Sequence, residues 1–98
     1  MVINITKNSN CVTIAPVGRL DSTSAGEFES FLQQNFTSDI EKLILDFINV
    51  DFISSKGLRV LVSIYKKLNG RSIEIVNLNA SVREVFRLSG LLRIFGLE

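Results

Sequence analysis

Ser54 and Ser55, followed by Lys56-Gly57-Leu58, form the segment best equipped for chemistry. Two adjacent hydroxyls stand just before an apolar helical pattern. There the first backbone N–H groups of a helix lack partners and the positive end of its dipole lies. The plain reading is capping, since serine is among the best N-cap residues. The sharper reading is phosphorylation, with Lys56 beside an added charge of about −1.5 to −2. Spacing alone leaves both open. Asp21 closes a second polar segment, Gly18-Arg19-Leu20-Asp21, whereas Asp46 and Asp51 are lone carboxylates read as turn caps or solvent-facing groups. With 0 histidines the chain lacks the commonest general base and zinc ligand, and its 1 cysteine, Cys11, is read as a small buried residue. No Gly-x-x-x-x-Gly-Lys-Ser/Thr loop occurs. These absences exclude His-dependent triads and the usual zinc sites, and no cofactor or metal is expected.

Composition sets the frame for these residues. The chain has 98 residues, 46% of them hydrophobic and 21% charged, a mix expected for one compact domain over 1–98. Lys plus Arg is 11 and Asp plus Glu is 10, so a net charge of +1 gives no general pull towards nucleic acid or an anionic membrane. The charge is uneven, however. Residues 1 to 53 hold 3 basic and 7 acidic side chains, and residues 54 to 98 hold 8 and 3. Basic residues are not interleaved with aromatics, so no direct nucleic-acid contact is expected. Met1 to Lys7 alternates and does not look like a secretion signal, and no apolar stretch approaches the roughly 18 residues of a membrane span. A cytoplasmic location without membrane insertion is expected. Glycosylation-type triplets at Asn4, Asn35 and Asn79 are read as chance.

The elements that must position the polar segments follow from periodicity. Val2, Ile3 and Ile5 start a strand, Asn8-Ser9-Asn10 is a turn, and Cys11 to Val17 forms an antiparallel partner ended by Gly18. Ser24 with Glu27 has capping-box spacing and opens a helix to about residue 35, with Phe28, Phe31 and Leu32 on its apolar stripe. Leu43 to Ile48 is an apolar run expected as a central strand, followed by a loop over 49–53. A second helix runs from Ser54-Ser55 to Asn69-Gly70 with Leu58, Leu61, Val62, Tyr65 and Leu68 inward. Ser72 to Asn77 forms a further strand, Ser81 with Glu84 opens a third helix to Gly90, and Leu91 to Leu97 packs down the tail. Strands alternating with helices imply an α/β fold with parallel pairing. If the second and third strands are neighbours, Asp21, Ser54 and Ser55 share one rim at the carboxyl ends of the strands. Gly57 in a first helical turn costs up to about 1 kcal/mol relative to alanine. A docking partner, a kinase or a neighbouring loop would each explain the missing side chain.

Four segments carry a family resemblance: Gly18-Arg19-Leu20-Asp21, Leu43-Ile44-Leu45-Asp46, Phe52-Ile53-Ser54-Ser55-Lys56-Gly57-Leu58, and Val85-Phe86-Arg87-Leu88-Ser89-Gly90-Leu91. In this order they resemble STAS domains, and most of all the stand-alone anti-sigma factor antagonists of bacterial partner switching. The resemblance implies a small mixed sheet of about four strands, the first antiparallel and the rest in parallel β-α units, packed with three to four helices. It also implies a switch in which this protein is a substrate and not an enzyme. The unmodified protein binds an anti-sigma factor with serine kinase activity and frees the sigma factor, phosphorylation breaks that complex, and a serine phosphatase restores it.

Aligned on Gly57-Leu58, the segment is similar to the family's Asp-Ser-Ser/Ala-Gly-Leu signature and places the acceptor at Ser55, with Ser54 as the alternative. Two positions depart from the signature, Ser54 for the acidic residue and Lys56 for Ser or Ala. The implied partner surface comprises Asp21, Ser54, Ser55, Lys56, Gly57 and Leu58, and the free protein is implied to be a monomer. The departures also motivate a second reading, a stand-alone STAS subunit of a transporter such as a lipid-transport system; a third is a module that binds a nucleotide or another small ligand at the Asp21 and Ser55 rim.

Overall fold

In the computed structural model, which describes residues 1–68 and 72–97, the chain forms a mixed sheet and three helices. The order is β1 (Val2–Asn8), β2 (Cys11–Leu20), α1 (Ala25–Asn35), β3 (Lys42–Asp46), β4 (Val50–Ile53), α2 (Ser55–Lys67), β5 (Ser72–Val76) and α3 (Ala80–Leu88). β1 pairs antiparallel with β2 through a turn in which Ser9 takes a positive φ of 58°. The other pairings are parallel and give the order β1-β2-β3-β5, with β4 also pairing β2. The α/β class and the antiparallel first strand match the expectation from sequence.

The segment 49–53, expected as a loop, contains β4. β2 does not end at Gly18. Its first half, Cys11 to Ile14, pairs with β3, and its last residues, Gly18 to Leu20, pair with β4. Gly18 makes the transition possible with φ of +101°, a conformation that side-chain-bearing residues rarely adopt, and its N–H donates to the carbonyl of Asn49 at 2.8 Å. The register shifts by one residue here, a bulge that skips Asp51 and redirects the strand pair. β3 is correspondingly shorter than the apolar run. Phe47 stays buried beyond the strand, but Ile48 turns outward and is 63% exposed.

Alternation sends Val12 and Ile14 of β2 and Leu43 and Leu45 of β3 into the core. They are covered by Phe28 and Leu32 from α1, Leu58, Leu61 and Ile64 from α2, and Val82 and Phe86 from α3. The tail completes the core through Phe95, whose ring meets Phe86 and Tyr65 edge to face with centroids 6.0 and 5.7 Å apart. Burying one such ring contributes about 1.5–3 kcal/mol, and Leu91, Leu92 and Leu97, partly buried against the same core, add to it. Tyr65, expected inward, is 43% exposed, and Leu88, at the end of α3, is 72% exposed.

Helix starts differ from the capping-box pattern. Ser24 precedes α1 without capping it. Its hydroxyl donates to the carbonyl of Arg19 and accepts from the N–H of Asp21, and Glu27 turns to the amino group of Met1. α3 begins at Asn79, whose carboxamide oxygen accepts from Val82 N at 2.8 Å while its amide donates to the carbonyl of Val50. Ser81 therefore lies inside the helix and Glu84 pairs with Arg87. Asn79 wins the cap because one side chain satisfies both the helix end and the Val50 carbonyl of β4. The expected stop at Asn69-Gly70 lies outside the described residues.

Candidate functional site

The site is built on the last residues of β2 and β4. Leu20 pairs with Ile53, and the carbonyl of Leu20 accepts a hydrogen bond from Ser54 N at 2.8 Å. The next residues, Asp21 on one strand and Ser54-Ser55 on the other, leave the sheet side by side. The expected rim exists, but through β4, a strand the apolar pattern did not reveal.

Asp21 organises its own turn. Its Oδ1 accepts from Thr23 N at 3.0 Å, Thr23 Oγ1 at 2.7 Å and Ser24 N at 3.2 Å, and its Oδ2 lies 3.5 Å from Arg19 Nε. Hydrogen bonds from the Thr23 side chain and backbone, with smaller help from Ser24 and Arg19, lower its pKa to about 2. The carboxylate is thus a fixed negative charge. Arg19 in turn lies over the ring of Phe52, 4.2 Å from its centroid, and ties the β2 end to β4 a second time.

Ser54 and Ser55 are not equivalent. Ser54 is the N-cap of α2, extended at φ −94° and ψ 172°, with its hydroxyl accepting from Gly57 N at 3.2 Å. Ser55 is the first helical residue, exposed, with a hydroxyl that makes no hydrogen bond among the described residues. Ser54 does the capping, and the Ser55 hydroxyl stands exposed beside it. Lys56 is also exposed, and no carboxylate stands in the first turn of α2.

Gly57 is buried and offers no open surface to a partner, and Leu58 is buried except where it lines a groove. A Cβ at Gly57 would lie 2.7 Å from the carbonyl oxygen of Leu20 and 2.9 Å from Cγ1 of Ile53. The close neighbour is the protein's own rim. The same carbonyl that receives Ser54 N also sets how near the helix can approach. Leu58 is 6% exposed and forms part of the floor of a groove of about 520 Å³, which sequence reasoning missed. The groove follows one face of α2 from Ser55 through Arg59 and Val62 to Lys66, and Leu91 closes its far side. The sequence carries this spacing of 3 to 4 residues, but the same periodicity counts Val62 towards the core, whereas it is half-buried. Asp46 caps a turn, its Oδ1 accepting from Ile48 N and Asn77 Nδ2, and Asp51 is exposed. Among the described residues no group of three or more His, Cys, Asp or Glu side chains is set to hold a metal, and no helix is long and apolar enough to cross a membrane.

Comparison with known proteins decides the family. A model of the STAS domain matches residues 2–98. The chain belongs to the STAS domain family. This STAS domain is 38% identical over 80 residues to BtrV of Bordetella bronchiseptica, which carries the name anti-sigma factor antagonist, over 80% of this chain and 69% of BtrV. Its fold is similar to that of an anti-sigma factor antagonist from Mycobacterium paratuberculosis, with a TM-score of 0.88 at 22% identity over 96% of this chain and 81% of the other. It is also similar to SpoIIAA of Bacillus in the unphosphorylated form, with a TM-score of 0.80 at 21% identity over 92% and 82% of the two chains. A phosphorylated form of SpoIIAA matches with a TM-score of 0.73 at 20% identity over 92% and 85%.

Two outcomes follow from this geometry. Gly57→Ala gains up to about 1 kcal/mol of helix propensity but must displace the Leu20 backbone, a cost of about 1–3 kcal/mol, so urea unfolding will show a lower midpoint; an unchanged or higher one contradicts the close approach. The Asp21 carboxyl, lowered from 3.8 to about 2, stabilises the fold fully above pH 3.8 and loses that contribution as pH falls through about 2. The thermal midpoint of Asp21→Asn will lie below that of the unsubstituted protein at neutral pH, and the gap will shrink as pH falls to 2.

Proposed function

We propose that this protein is an anti-sigma factor antagonist switched by phosphorylation of Ser55. The unmodified form binds an anti-sigma factor that is also a serine kinase, in the cytoplasm, and the sigma factor is released. The observation that carries this reading is the division of labour between the two serines. Ser54 holds the helix start and Ser55 presents an exposed, unbonded hydroxyl where a kinase can reach it. The likeness to BtrV supports the antagonist role.

In the transfer step the Ser55 oxygen bonds to the γ-phosphorus of the kinase's nucleoside triphosphate. The bond from phosphorus to the bridging oxygen breaks, a nucleoside diphosphate leaves, and the hydroxyl proton passes to a base on the kinase. A serine phosphatase reverses the change with water, releasing inorganic phosphate. This chain is the substrate in both directions and supplies no catalytic group. Asp21, Ser54 and Lys56 surround the acceptor, while Gly57 and Leu58 act from beneath by setting the height of the helix.

One phosphate is sufficient for a switch. A charge desolvated without a partner at an interface costs about 2–5 kcal/mol, a factor of roughly 30 to several thousand in affinity. The expected outcome is that Ser55→Asp weakens binding to the purified anti-sigma kinase by at least the lower of these factors in titration calorimetry. Ser54→Ala instead lowers stability by about 1 kcal/mol through the lost cap and keeps the acceptor. Equal affinity of Ser55→Asp and the unsubstituted protein contradicts the proposal.

A further inference from the structure

The groove beside Ser55 has a chemistry of its own. Its floor is apolar, made by Leu58, Val62 and Leu91, and its rim carries Arg59 and Lys66. Neither cation has an ion-pair partner among the described residues, although Arg19, Lys42 and Arg87 elsewhere on the surface do. α2 as a whole, Ser55–Lys67, contains four cations, Lys56, Arg59, Lys66 and Lys67, and no carboxylate. Two of these, Lys56 and Arg59, lie in its first turns, where the helix dipole disfavours positive charge. Lys66 and Lys67 lie in the last turn, where the dipole favours them, so the rule is broken at Lys56 and Arg59, and the lack of an internal compensation there points to one from outside.

Ser55 to Lys66 is about 16 Å along the axis, the length of three turns of a second helix. We infer that the groove is the docking site for an acidic amphipathic helix of the partner, with apolar side chains on Leu58, Val62 and Leu91 and carboxylates facing Arg59 and Lys66. This mode reuses the packing of one helix in an apolar groove, and charge complementarity selects the occupant. It deepens the proposed function and rests on it for the identity of the partner. Because Ser55 lies at one end of the same groove, a phosphate there would meet the acidic helix directly.

The test uses the full chain with methyl and amide NMR signals assigned. Three probes are titrated: a peptide helix with leucines at i, i+3/i+4 and i+7 flanked by glutamates, the same peptide with lysines for glutamates, and phosphatidylglycerol vesicles. The glutamate peptide alone will shift the Leu58, Val62 and Leu91 methyl signals, and its affinity will fall about tenfold in R59E/K66E, whose substituted side chains are exposed and leave the fold intact. It will weaken further in 0.5 M salt, where screening shortens the reach of surface charges to a few ångströms. An equal response to the lysine peptide, shifts confined to another surface, or a response to vesicles instead of the glutamate peptide overturns the inference. Glutamate-peptide binding that ignores Ser55→Glu upholds the groove and counts against the switch. A Ser55→Asp effect on the anti-sigma kinase without any peptide binding upholds the switch and overturns the groove.

Discussion

The carbonyl of Leu20 is the contact on which the site depends. It ends β2, accepts Ser54 N at 2.8 Å, and lies where a side chain on Gly57 would collide at 2.7 Å. One backbone atom therefore fixes the exit of β4 and the height of the first turn of α2. Gly18 makes this possible upstream by letting β2 leave β3 and take up β4. Net hydrogen bonds of this kind contribute only about 0.5–1.5 kcal/mol each, so the rim is held by several small terms in register rather than one large one. The Arg19 stack on Phe52, the Asp21 turn and the Ser54 cap are the others.

The arrangement gives the two neighbouring serines different surroundings. Ser54 satisfies a helix N–H that water would otherwise have to meet, and this commitment leaves Ser55 outside the bonding pattern. A phosphate on Ser55 would gain about 0.3–1 kcal/mol from the helix dipole, with Lys56 and Arg59 nearby. The penalty for placing the same charge against a closed interface is several times larger. In the proposed switch the modified protein is thus comfortable alone and poorly suited to its complex, the asymmetry that a reversible regulator needs.

Much of this was legible in the sequence, and the misreadings have physical causes. The run Leu43-Ile44-Leu45 and the stripe Phe28, Phe31 and Leu32 announced β3 and α1, because burial on that scale leaves a clear period. The Ser54-Ser55-Lys56-Gly57-Leu58 segment announced the start of α2. β4 was hidden because four residues, with exposed Asp51 at a bulge, give no stable alternation. The cap of α3 was placed two residues late because Ser81 and Glu84 satisfy the capping-box spacing, while the bond from Asn79 to the Val50 carbonyl is a tertiary feature. The groove was overlooked because Val62, counted towards the core, is half-buried on its wall.

The central claim is that Ser55, and not Ser54, is the modified residue. Intact-protein and peptide mass spectrometry of the protein isolated from its native cells tests it most directly. The account predicts a population carrying one added phosphate, with the fragment ions placing it on Ser55. A phosphate on Ser54, or none across growth and stress conditions, would contradict it.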